Sequence, residues 1–290
     1  MQKLLKSKLF FFLKIVITFT ILYLIFRKID FHVLFHSFCQ ISFMTIVLML
    51  ITTAMKIFIE YRNWGHFLKI NPDYVAKPAE IFKSHMIGHS LSLVVPGGLG
   101  VAGKVFFLDN AKTLTFMSLG VEKFFQIWIN LLFASFAAIF YFRKMNITIP
   151  IAIFIFVLFL PLLIYWLKHL NRIKSIDKYF QEYIKVMPRI SALQIAYMFL
   201  TIFQYFILIN TFRPYHIFSA IISVPLILVS NLIPITYAGL GLREKFAIEV
   251  LAKYSISSEH AVTVTLTIFF FTSVLPALTG LVLLLKKKKS

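Results

Sequence analysis

The sequence predicts an all-α polytopic membrane protein, with six full spans and two re-entrant broken helices arranged as two inverted repeats. Three observations carry that class. The 290 residues are 60% hydrophobic with mean hydropathy +0.86, more apolar surface than a soluble domain of this size could hide but suited to a lipid solvent. Aromatic residues make up 17%, including 34 Phe, a side chain favoured at the lipid face. Apolar runs of about 20 residues, the length that crosses a bilayer, recur along the chain with Lys and Arg gathered between them.

Six runs qualify plainly in chain order: 9–26, 41–59, 124–142, 147–167, 190–212 and 260–285. The first follows MQKLLKSK but lacks a small-residue cleavage site, so it reads as a retained helix rather than a signal peptide. Two further segments are compromised. Segment 80–109 is broken at Pro96-Gly97-Gly98-Leu99-Gly100, and segment 215–253 at Pro225, Pro234, Gly239 and Gly241. The basic gaps are Lys3, Lys6 and Lys8; Arg62, Lys69, Lys77 and Lys83; Lys168 to Arg189; and Lys286 to Lys289. The remaining gaps are poor in Lys and Arg. The positive-inside rule places the rich group, and with it both termini, in the cytoplasm.

Termini on one side require an even number of crossings, so both broken segments are expected to return to the side they left. The chain then divides into 1–145 and 146–290, each with two spans, a re-entrant hairpin and a span. Gly98-Leu99-Gly100-Val101 with Lys104 repeats as Gly239-Leu240-Gly241-Leu242 with Lys245, at a constant offset of 141. The rival topology has 215–233 crossing fully, which gives seven spans and an external basic tail.

Irregular backbone at membrane depth persists only where protein or a watery cavity satisfies it. Paired breaks in inverted halves suggest a site between the repeats. Half-helices after each Gly-Leu-Gly would aim N-termini at that cavity, with free N–H donors suited to an anion. Candidate binding residues are Gly98, Gly100 and Lys104 in the first break, and Gly239, Gly241, Arg243, Glu244 and Lys245 in the second. Arg243 suits bidentate phosphate contact. Glu244 could pair with Lys104 or Arg243, or take a cationic headgroup. Asn231 before the second break and Arg62 in IEYRNW are further candidates. The plain alternative is that the glycines serve close helix packing and that the lysines snorkel, as Lys56 is also expected to do.

No metal site is expected. His85 and His89 lie four apart, as do His32 and His36, but neither pair shows a His, Asp or Glu partner completing a set. The single Cys39 excludes an internal disulfide and a multi-cysteine metal site. No catalytic residues or cofactors are expected. No nucleophile–base pair or paired carboxylates stand near the breaks, no Walker lysine is present, and GLGVAG lacks the strand context of a dinucleotide site. The charge of +19 fits anionic lipid headgroups and topology rather than nucleic acid. The basic segment 168–189 is expected to lie along the cytoplasmic surface against such lipids.

NLIPITYAGLGLREKFAIEVLAKYSIS, followed by a long apolar helix, resembles the transmembrane region of lysylphosphatidylglycerol synthases, a flippase-like family that also occurs as stand-alone proteins. PGGLGVAGKVFFL resembles the family's first Pro-Gly-x-Leu-Gly element, and RNW at 62–64 is also similar. The family often places Gly-Glu and then Arg in that first element; here Val101, Ala102 and Gly103 occupy it and Lys104 supplies the cation. The synthases carry a soluble aminoacyltransferase domain after this region, whereas this sequence ends at KKKKS. The resemblance therefore implies lipid handling without synthesis: a non-enzymatic protein that binds and translocates a phospholipid or lipid-linked anion between leaflets. The alternatives are a secondary transporter of a small soluble anion and a non-transporting partner of a lipid- or glycan-modifying envelope enzyme.

Overall fold

A computed structural model describes residues 16, 18–27, 29–71, 74–75, 77–94, 99–143, 147–167, 174–233 and 235–287. Expectations that fall on the N-terminal lysines, on residues 9–15, on Pro96-Gly97-Gly98, on 168–173, on Pro234 and on the end of the basic tail lie outside these residues. Among the described residues the chain is helical without strands. In order come α1 (18–26), α2 (Phe31–Cys39), α3 (Phe43–Leu68), α4 (Pro78–Val94) and a four-residue α5 (Leu99–Ala102) running into a 3-10 turn, Gly103–Phe107. Next are α6 (Lys112–Tyr141), α7 (Thr148–Leu167), α8 (Lys174–Phe212), α9 (Ile217–Leu228), α10 (Leu242–Ala252), α11 (Ser258–Phe269) and α12 (Leu275–Lys287), the last two joined by a π turn.

Among the described residues, four helical stretches are long and apolar enough to cross a membrane: Phe43–Leu68, Lys112–Tyr141, Glu182–Phe212 and Ser258–Leu285. Thr148–Leu162 and Ile217–Leu232 are shorter apolar helices. Local chemistry sets the starts. Asp30, Ser42 and Ser257 accept backbone N–H groups at the heads of α2, α3 and α11, the usual work of an N-cap. Pro78 opens α4, where its missing N–H costs nothing.

Two of the expected spans are longer than the apolar runs. α3 continues beyond residue 59 through Arg62 to Leu68, and α6 begins at Lys112 rather than 124. Both extensions carry charged residues that an apolar-run criterion ends on; of these Glu122 is buried, Glu60 and Lys123 are half-buried, and Arg62 and Lys112 are exposed. The segment from 174 is likewise no separate surface helix: it is continuous with 190–212 in α8. Tyr183 is buried against Phe67 and shares a hydrogen bond with Ser118 at 3.1 Å, so the face of α8 at Tyr183 packs on the protein.

Both broken segments double back. The chain enters α4 at Pro78 and comes back beside its first turn, where the Asp109 N–H donates to Glu80 Oε1 at 2.7 Å. Asn71 Nδ2 donates to Asn110 Oδ1 at 2.5 Å, and Ser118 Oγ to the Phe67 carbonyl at 3.2 Å. The end of α3, both feet of this hairpin and the start of α6 therefore share one end of the molecule. At the other end of α6, Lys253 Nζ donates to the Tyr141 carbonyl at 2.5 Å. There Arg213 Nη1 reaches the Ser255 carbonyl at 2.9 Å and the rings of Tyr215 and Tyr254 meet at 5.6 Å. The feet of the 215–253 hairpin thus stand at the end opposite the first.

Candidate functional site

α3 carries Lys56 and Glu60 one turn apart, and α4 carries His85 and His89 at the same spacing, so each pair projects from one helix face. After the break the returning chain must lie close to α4 to bring its own cation alongside. The glycines permit this. A Cβ on Gly100 would stand 2.0 Å from the Leu91 carbonyl oxygen, one on Gly103 2.3 Å from the Leu91 side chain, and one on Gly88 3.2 Å from Lys104 Cβ.

Lys104 is 2% exposed. Its Nζ donates to Glu122 Oε2 of α6 at 2.6 Å and sits 3.6 Å above the Trp64 ring centroid. Trp64 in turn donates Nε1–H to Ser84 Oγ at 3.1 Å. A buried charge without partners is costly; this one has a carboxylate and an aromatic face. Between α3, α4 and α6 opens a small cleft of about 50 Å³, lined by Glu60, His85, His89, Lys104, Glu122 and Lys123 with Gly88, Val101 and Gln126.

Within it His85 Nε2 lies 3.5 Å and His89 Nε2 3.3 Å from Glu60 Oε2, and the two ring nitrogens are 3.2 Å apart. The expectation that the histidine pair has no acidic partner is therefore corrected: Glu60 completes the set from the neighbouring helix. Lys56 does not snorkel either. It is 4% exposed, its Nζ donates to Gln204 Oε1 at 3.0 Å, and it stands 4.5 Å from the Tyr197 ring centroid. Gln204 passes its own N–H groups to Thr52 and Thr53. The carboxylates of Glu60 and Glu122 line one cleft, so ionisable groups gather near the first break more densely than the sequence suggests.

The second motif is built differently. Ala238, Gly239 and Gly241 have φ of 52°, 77° and 84°, a left-handed run in which glycine carries no Cβ penalty. The turn launches α10, whose Gly241 N–H donates to Glu244 Oε2 at 2.5 Å. This modifies the expected anion-binding helix ends. A carboxylate from its own first turn already meets the head of α10, and α5 is too short to gather a macrodipole. Glu244 is fully buried and also takes Arg243 Nη2 at 3.3 Å, while Arg243 Cζ lies 5.1 Å from the Phe269 ring centroid. Arg243 Nε and the Tyr205 hydroxyl, both buried, have no hydrogen-bond partner among the described residues.

Lys104 and Arg243 thus have separate partner sets, and Glu244 pairs with Arg243, not with Lys104. Lys245 is exposed, 4.0 Å from Glu249. Asn231 is exposed, with Oδ1 3.2 Å from where a Cβ of Gly239 would be. Arg62 is exposed in a surface cleft with His66 and Lys69. Gly98 lies outside the described residues. Sequence reasoning missed Glu60 and Glu122. The signal available was that each is a carboxylate within a long apolar helix, where an ionisable group marks function by default.

Compared with known protein families, the chain matches the model described as Lysylphosphatidylglycerol synthase TM region over residues 11–280. No curated protein and no solved structure matches it.

Proposed function

This chain belongs to the lysylphosphatidylglycerol synthase TM region family, and from that premise we propose that it binds a phospholipid or lipid-linked anion and carries it between leaflets. The observation that carries the reading is the cleft of buried ionisable side chains set among helices long and apolar enough to cross a membrane. A charge at the centre of a span costs roughly 2.5–3.5 kcal/mol on insertion scales, and an ordinary scaffold would replace it. Here Lys104 is held by Glu122, a partner that a phosphate can displace without leaving the ammonium bare. Arg243, whose buried Nε lacks a partner among the described residues, is a second phosphate station in the other half. The protein acts as a carrier, with no covalent step.

In this reading the chain makes six crossings and two re-entrant hairpins, both termini are cytoplasmic, and the membrane is a bacterial-type inner membrane. The return of each hairpin to its starting end supports this arrangement. A relation between the halves supports the inverted repeat. Trp64 and Tyr205 are both fully buried and stand 141 positions apart, like the two glycine motifs, and Trp64 lies under Lys104. Rocking of the halves would expose the stations to alternate leaflets, passively or driven by the membrane potential at about 2.3 kcal/mol per charge per 100 mV.

The test is lipid exchange in proteoliposomes with fluorescent phospholipids, anionic and zwitterionic, placed in the inner leaflet. Exchange of the anionic lipid above that of empty vesicles is expected. Arg243→Ala should slow it about tenfold or more, the worth of one charge-assisted contact. Background rates across all headgroups would overturn the reading in favour of a soluble-anion transporter or a partner protein.

A further inference from the structure

We propose that Glu60, His85 and His89 bind one divalent transition-metal ion, best matched by zinc, with a fourth coordination position open to the cleft. Three ligand atoms of the right kind converge: the Nε2 atoms of both histidines and Glu60 Oε2, with edges of 3.2, 3.3 and 3.5 Å. Bonds of about 2.0–2.1 Å to a tetrahedral zinc put neighbouring ligand atoms about 3.3 Å apart. The triangle therefore matches one face of such a tetrahedron. It fits a hydrogen-bonded cluster less well. A protonated histidine on a carboxylate closes to about 2.7–2.9 Å, whereas both contacts to Glu60 are longer. Two imidazoles that both donated to one oxygen would also hold their N–H groups side by side.

The frame around the triad is fixed. His85 and His89 lie one turn apart on α4, with ring planes at 88°. Ser84, next to His85, binds Trp64 of α3 and so ties the two ligand-bearing helices together. Met86 and Ile87 are 2% and 0% exposed, which holds the rotation of α4. Such locking by neighbouring groups is what keeps a metal site to its geometry. Two histidines and a glutamate with one vacant position form a known zinc donor set. The vacancy would face the space lined by Gly88, Lys104 and Glu122. An oxygen ligand is expected there, a water or a phosphate oxygen. The inference does not rest on lipid transport, because its readout is the metal itself.

The full chain, purified in detergent with a tag free of histidine, is stripped with a chelator, dialysed and titrated with zinc and separately with cobalt(II). The expected result is one zinc per chain by elemental analysis, with the strong visible bands of four-coordinate cobalt. His89→Ala and Glu60→Gln should each weaken binding about a hundredfold or more, beyond the loss typical of outer-shell changes. His32→Ala/His36→Ala, an exposed pair at the same spacing, should bind as wild type does. Zinc should raise the melting temperature of wild type and of that control, but not of His89→Ala. Metal-free melting curves show whether each variant has folded. Substoichiometric zinc on folded wild type, or binding unchanged in folded His89→Ala, would overturn the site and leave the triad a hydrogen-bonded cluster.

Discussion

At the scale of single residues, the first break is organised by one buried ion pair. Lys104 and Glu122 are each 2% exposed and their charged atoms are 2.6 Å apart. Removing one partner of such a pair strands the other charge and typically costs about 3–5 kcal/mol, whereas removing both charges together can be nearly neutral. Lys104→Met and Glu122→Gln should therefore each lower unfolding stability in detergent strongly, and Lys104→Met/Glu122→Leu should lose clearly less than the sum of the two. Strict additivity would mean that the pair does not hold the break. Lys104 was legible in the sequence because a cation beside a glycine motif stands out in an apolar chain. Its partner was not. Glu122 lies beyond the end of the apolar run, and only the packing of α6 on the returning chain buries it. Glu60 was hidden for a related reason: the spacing of His85 and His89 fixes their shared face, but nothing in the sequence says which neighbouring helix that face meets.

At the scale of elements, two motifs with the same letters do different physical work. Gly100 and Gly103 remove side chains where the returning chain presses on α4 at Leu91. Gly239 and Gly241 supply positive φ for a turn. The sequence located both breaks, because glycine and proline interrupt apolar runs whichever purpose they serve, but spacing alone does not separate a contact glycine from a turn glycine. Helix ends were the least legible feature. α3 and α6 run past charged residues because neighbouring helices, not the run itself, decide burial. The hairpins make a topological prediction. In a Cys39→Ser background, Ala79→Cys and Ala111→Cys at the feet of the first hairpin should react with an impermeant thiol reagent from the same membrane face. Arg213→Cys and Lys253→Cys, at the feet of the second, should react only from the opposite face. Labelling of 79 and 111 from opposite faces would mean that 80–109 crosses fully.

At the scale of the whole molecule, the two halves interlock rather than sit side by side. α12, the last helix, lies along α4 of the first hairpin. Ser90 Oγ donates to the Ala277 carbonyl at 2.5 Å, and a Cβ on Gly280 would stand 2.0 Å from the Met86 carbonyl oxygen. Close approach through a small residue is how apolar helices associate where lipid is as apolar as they are. Met86 and Ser90 each follow one histidine in sequence, so the contact lies little more than a quarter turn round α4 from the histidine pair. Gly280 therefore lets α12 close on the helix that carries His85 and His89, a link that no periodicity in the sequence announces. Gly280→Ala should force α12 from α4, and overpacking of this kind costs about 1–3 kcal/mol. The expected result is a lower melting temperature in detergent together with weaker zinc binding, because α4 carries two of the three ligands. Gly120→Ala is the control. It lies in α6 with nothing within 4 Å of the added Cβ, so it should leave both quantities near wild type. If Gly280→Ala lowered stability but left zinc affinity intact, α12 would be a brace for the fold alone, and the position of α4 would be set by α3 through the Trp64–Ser84 contact.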